Sequence, residues 1–178
     1  MQNLEKISKF YKNIFRIVFI LIVISVVSFW AFAQSEYIPN VTDTAQHYID
    51  QMSQPIALDT RIIGLLVSLI PVSVILYIIA LLVKLFTCYE KLEVFSSRVV
   101  LIYKRLGWGL VYYFFAQIIF EPLISLTLSY HNPVGERFVS VSIGTNEILA
   151  LLCGGVIITI SKVMQKAHEL AEENDLTI

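Results

Sequence analysis

Tyr113, Gln117, Glu121 and Ser125 recur at intervals of four inside an otherwise apolar run, so one helix face would carry a phenol, an amide, a carboxyl and a hydroxyl. Glu121 lies fourteen residues past Gly107, about 21 Å along a helix axis, which puts it in the outer half of a roughly 30 Å hydrocarbon slab. An ionisable side chain at that depth should face protein rather than lipid. Two kinds of chemistry follow. One is a polar pocket that binds a proton or a small molecule, with Arg61 or Arg137 as the nearest cation on that side. The other is structural: interhelical hydrogen bonds to Ser, Tyr or Arg, or a carboxylate snorkelling outward past Pro122.

A second grouping is Asp43, His47 and Asp50. A short helix from Thr42, its N-cap, to Met52 would bring these three onto one face at i, i+4 and i+7. Carboxylate, imidazole and carboxylate can ligate a divalent metal, but the same pattern is an ordinary polar face above Tyr48, Ile49 and Met52. No metal and no cofactor is expected. Cys88 and Cys153 form no CxxC and have no histidine beside them, so both read as small hydrophobes. HExxH, GxSxG and Gly-rich phosphate loops are absent, and the chain is not expected to be an enzyme. Asn40-Val41-Thr42 is a glycosylation sequon, relevant only in a eukaryotic secretory pathway.

The elements that position these residues follow from apolar runs. Hydrophobic residues make up 57% of the chain and charged ones 15%, too little charge to clothe a soluble domain. The expected fold is an all-α membrane protein, one domain of four transmembrane helices in two hairpins, with spans near 14–33, 62–83, 107–128 and 147–163. Lys6, Lys9, Lys12 and Arg16 precede the first run. Its end, Ala31-Phe32-Ala33, resembles a signal-peptidase site, but retention as a span closes the charge pattern, with Trp30 as an interfacial anchor. Residues 34–60 hold four carboxylates and no Lys or Arg, so they face away from the cytoplasm. The loop 84–106 and the tail 164–178 then face inward, and both termini are cytoplasmic. Gly64 and Ser68 in the second span, and Gly154-Gly155 in the fourth, allow close helix approach. Pro71 should kink the second span. Asn132-Pro133-Val134-Gly135 should form a type I turn, followed by an extended stretch over residues 137–143.

The central stretch carries Lys84, Lys91, Arg98, Lys104 and Arg105. Ser96 or Ser97 can cap a helix there with Val99, Ile102, Tyr103 and Leu106 on one side and Arg98 and Arg105 on the other. That helix is a short amphipathic cytoplasmic helix or the overhang of the third span. The tail is acidic at Glu169, Glu172, Glu173 and Asp175. Basic helix and acidic tail together form a candidate partner surface, and the function favoured is interaction or regulation through it. The alternative is a small-molecule or lipid binder or transporter using Tyr113, Gln117, Glu121, Ser125 and Arg61. Membrane lipids are expected partners and a homo-oligomer is compatible with the glycine pairs. A net charge of −1 argues against direct nucleic-acid binding.

The tail HELAEENDLTI and the central LEVFSSRVVLIYKRLGW resemble the bacterial membrane family catalogued as domain of unknown function 2975. The shared features are a Phe-Ser step, a helix with a basic pair before Gly and an aromatic, and four spans in order. Leu92 departs from the family, which often has Gly there. The resemblance implies a multi-pass protein of the bacterial cytoplasmic (inner) membrane, often encoded beside a small helix-turn-helix regulator, a candidate cytosolic partner. It implies no activity and assigns no site residue.

Overall fold

The computed structural model describes residues 2–32, 56–93 and 96–175, with side chains over 5–32, 56–93 and 96–170. Asp43, His47, Asp50 and the 40–42 sequon lie outside the described residues, and the side chains of Glu172, Glu173 and Asp175 lie outside them too. Among the described residues the chain forms four α-helices: α1 Gln2–Ala31, α2 Leu58–Glu90, α3 Ser97–Ser129 and α4 Thr145–Asp175. All four are long and apolar enough to cross a membrane. At 33 residues, α2 and α3 run about 50 Å, well beyond a roughly 30 Å hydrocarbon slab, so their ends must project from it. Large apolar side chains stay exposed along the helices, among them Ile17, Ile20, Leu21 and Ile24 on α1 and Leu149, Leu152 and Val156 on α4. Such faces suit lipid and would be a liability in water.

The chain divides into two compact units. One comprises Met1–Ile20, Val74–Phe115 and Gly144–Ile178; the other comprises Leu21–Ser73 and Ala116–Ile143.

In the first unit the core is a matched pair of stripes. Leu81, Leu85 and Cys88 of α2 meet Val99, Ile102 and Leu106 of α3, with Ile157 and Met164 of α4 packed against them. Spacings of three and four put each trio on one helix face, which is why this amphipathic sequence buries that side and leaves Arg98 and Arg105 out. The basic segment is therefore not a separate short helix. Residues 98–105 are the opening turns of α3, continuous with the third span, because the buried stripe extends without a break into the apolar run. Ser96 caps it: the Val99 N–H lies 2.9 Å from the Ser96 carbonyl oxygen and 3.4 Å from its Oγ. At the other side of the connection α2 ends in a Schellman motif. Glu93 N–H donates to the Cys88 carbonyl and Leu92 N–H to that of Tyr89, with Leu92 itself at φ +63°. The departure from glycine at Leu92 thus falls on a left-handed cap position. Gly107 and Gly154 let α3 and α4 touch backbone to backbone: a Cβ on Gly154 would stand 2.9 Å from the Gly107 carbonyl oxygen. Gly155, expected to share this role, faces open space.

In the second unit Trp30, Ile124 and Leu128 form the core, with Val26, Leu65 and Phe120 around them. Trp30 is 6% exposed and donates its indole N–H to Ser68 Oγ at 3.0 Å, so it is an interior residue and not an interfacial anchor. A Cβ on Gly64 would fall 2.1 Å from the Trp30 ring; the small Gly64/Ser68 pair exists to admit this indole. Pro71 and Pro122 lie inside α2 and α3 without ending them. The turn after α3 is one residue later than expected. Glu136 N–H donates to the Pro133 carbonyl at 3.0 Å and Gly135 takes φ +106°, which puts glycine at the third position of a type II turn.

Candidate functional site

The outer part of the polar stripe of α3, Glu121 and Ser125 with Ser129 one step further, is engaged by the chain's own return segment. Ser129 Oγ donates to the Phe138 carbonyl at 3.1 Å and accepts its N–H at 3.3 Å. Ser125 Oγ accepts the Ser140 N–H at 3.0 Å while donating to the Pro122 carbonyl at 3.0 Å. Glu121 accepts the Ser142 N–H at 2.5 Å and the Ser142 hydroxyl at 2.7 Å. Residues 138, 140 and 142 thus hang on residues 129, 125 and 121. Two residues of extended chain advance about 6.6 Å and four residues of helix about 6 Å, so the periods nearly match. The small mismatch accumulates rung by rung, and the longer Glu side chain sits at the third rung, where most reach is needed.

This arrangement assigns the four-residue spacing a structural role. Arg61 does not join it: its Nε donates to the Ile56 carbonyl at 3.2 Å. Arg137 lies over the Tyr130 ring, 5.5 Å from its centroid. Among the described residues Glu121 has no cation within ion-pair distance. Gln117 and Tyr113, half-buried one and two turns before Glu121 on the same helix, each have partners of their own. Ser129 and the 138–142 amides were not among the candidates read from sequence. Ser129 was legible as the next step of four, whereas a backbone N–H leaves no trace in side-chain pattern.

The basic segment leads to a different place. Between α2 and α3, in the first unit, a cavity of about 350 Å³ is walled by Lys84 and Lys91 on one side and Arg98 and Arg105 on the other. Leu81, Leu101 and Ile102 supply apolar lining, and among the described residues no carboxylate borders it. Among the described residues none of the four cations has an acidic partner within ion-pair distance. Lys104, grouped with the arginines in sequence, does not line the cavity. Lys84 and Lys91 do, and their seven-residue spacing repeats that of Arg98 and Arg105 across the connection. That mirrored heptad was the available signal.

The tail also reaches this end of α3. Ser97 Oγ and His168 Nε2 are 2.7 Å apart, and Met164 packs on the buried stripe one turn earlier. Glu169 is engaged on its own helix, accepting from Gln165 at 3.1 Å and Lys166 at 3.3 Å. In the same unit Lys12 of α1 pairs with Glu90 at the end of α2, beside Phe86 in contact with Tyr11 and Phe15.

Four long apolar helices, polar groups satisfied inside the protein and lipid-compatible outer faces define a multi-pass α-helical membrane protein. Residues 44–178 match the family described as "Protein of unknown function (DUF2975)". The chain belongs to that family. No curated protein and no solved structure matches it.

Proposed function

We propose that this chain is a regulatory protein of the bacterial cytoplasmic membrane, non-enzymatic, working through the junction of α2 and α3 and the helical tail of α4. The observation that carries the reading is the Ser97–His168 hydrogen bond, which holds the tail beside the first turn of the basic helix. In this reading Arg98, Lys104 and Arg105 attract the acidic end of the tail, Glu169, Glu172, Glu173 and Asp175. A cytosolic partner, for which the family resemblance offers a small helix-turn-helix regulator, competes for one of the two surfaces. Each exposed ion pair contributes little, so the latch is easily exchanged.

The membrane orientation is part of the proposal. Two antiparallel hairpins with both termini and the central connection in the cytoplasm agree with the positive-inside pattern of Lys6 to Arg16 and Lys84 to Arg105. The same orientation requires the start of α1 near the end of α2, and the start of α3 near the end of α4. The pairs Lys12–Glu90 and Ser97–His168 support it. The test is the double variant Glu172→Lys/Glu173→Lys, with protease access to the tail measured in inside-out vesicles. Faster cleavage than in the parent is expected; unchanged protection would refute the latch.

A further inference from the structure

We infer that the cavity between α2 and α3 is a binding site for one phosphate-bearing anion. The reason lies in convergence rather than in the number of charges. Juxtamembrane Lys and Arg that serve only to set topology need to lie on the correct side, and need not meet. Here two cations from each helix, each pair seven residues and about 10.5 Å apart along its axis, line one half-open cavity. Neighbouring helix axes lie on the order of 8–10 Å apart, so the four cations stand at the corners of a near-square that long side chains can span to a common centre.

The chemistry selects the ligand. Arg98 and Arg105 can offer planar, bidentate donor pairs to phosphate oxygens, and Lys84 and Lys91 add point charges. Among the described residues no carboxylate lines the wall to compete with an incoming anion. Leu81, Leu101 and Ile102 give the same cavity an apolar side, which suits a phosphodiester whose other arm is a glycerolipid. A volume of about 350 Å³ accommodates a headgroup and not a whole lipid, whose chains would remain in the bilayer. Phosphate is the shared chemistry, and a lipid headgroup or free phosphate can present it. The inference shares Arg98 and Arg105 with the tail latch and deepens it, since an anion in the cavity would draw on the same two guanidinium groups.

The test uses full-length protein in neutral detergent, stripped of lipid, with binding read by calorimetric titration and by native mass spectrometry. The probes are dihexanoyl phosphatidylglycerol below its micelle concentration and, separately, inorganic phosphate. Four doubly substituted proteins are compared with the parent. Arg98→Gln/Arg105→Gln and Lys84→Gln/Lys91→Gln empty the cavity walls. Lys6→Gln/Lys162→Gln removes the same two charges from exposed positions outside the cavity. Arg98→Lys/Arg105→Lys keeps the charge and guards against a variant that fails to fold. The expected result is saturable one-to-one binding, weakened at least tenfold by either cavity pair, less than twofold by the outside pair, and only partly by the lysine pair. Binding of the lipid probe alone assigns a lipid headgroup, and binding of inorganic phosphate with the same variant pattern assigns free phosphate. No saturable binding of either probe, or equal losses in the cavity and outside pairs, overturns the inference. Tail protection is measured on the parent in the same preparation, so a failed cavity and a failed latch are told apart.

Discussion

If α3 holds the return segment by alternate amides, hydrogen exchange must alternate along residues 138–142. The N–H groups of Phe138, Ser140 and Ser142 have side-chain acceptors on α3, whereas those of Val139 and Val141 have no protein acceptor among the described residues. Three rungs at a net of about 1 kcal/mol each would close the segment by about 3 kcal/mol, or roughly hundredfold protection at the even positions. Ser125 is the sharpest place to perturb it, since it is fully buried and holds the middle rung. Ser125→Ala leaves the Ser140 N–H without its acceptor, at a cost of about 1–3 kcal/mol, so protection at all three amides should fall about fivefold or more. Glu121→Gln keeps one acceptor oxygen while replacing the other with an amide donor and removing the charge, and should weaken protection by a smaller factor, concentrated at Ser142. The assay is exchange in micelles with electron-transfer fragmentation to single-amide resolution. Equal protection at odd and even positions would refute the ladder. A Ser125→Ala effect confined to Ser140 would refute its cooperativity.

Three further outcomes are expected from reversible unfolding in mixed micelles. Gly154→Ala sets a methyl 2.9 Å from the Gly107 carbonyl and should lose about 1–2 kcal/mol after the helix-propensity gain, while Gly155→Ala, with nothing within 4 Å, should gain up to about 1 kcal/mol; equal effects would remove the α3–α4 backbone contact. Leu92→Gly relieves a left-handed cap and should stabilise by about 0.5 kcal/mol, the conformational gain being partly offset by unfolded-chain entropy; a lower unfolding midpoint would count against the Schellman cap. Lys12→Met and Glu90→Gln should each destabilise, and the double variant should lose less than the two together; strict additivity would mean that the ion pair contributes nothing.

What was legible in the sequence, and what was not, divides along one physical line. Features belonging to a single helix could be read. Apolar length and flanking charge marked the four helices, Ser96 marked the cap of α3, and the trio Val99, Ile102 and Leu106 marked its buried face. Features needing a second partner could not. Trp30 has the composition of an interfacial anchor and becomes interior only because Gly64 leaves room for it on another helix. Lys84 and Lys91 look like topology charges until Arg98 and Arg105 face them across the same cavity. The turn at Gly135 was located to within one residue, but its type depended on which position required a positive φ.

The Glu121 stripe shows the same division most sharply. Read alone, a carboxyl, an amide and hydroxyls on one face of a membrane helix call for a polar partner, and a ligand is the partner that comes first to mind. Buried polar groups impose only that the partner exist, however, and they do not distinguish a ligand from backbone. Here the competing donors lie only 9 to 21 residues away in the chain, already tethered by the Pro133–Glu136 turn. A tethered segment closes its loop at little entropic cost, whereas a free ligand must give up translational freedom. The extended period of two over the helical period of four then lets one segment satisfy three rungs at once. For that reason the half-buried carboxylate, the most conspicuous residue in the sequence, reads as part of the fold, and the four cations between α2 and α3, which have no acidic partner among the described residues, are left as the stronger functional candidates.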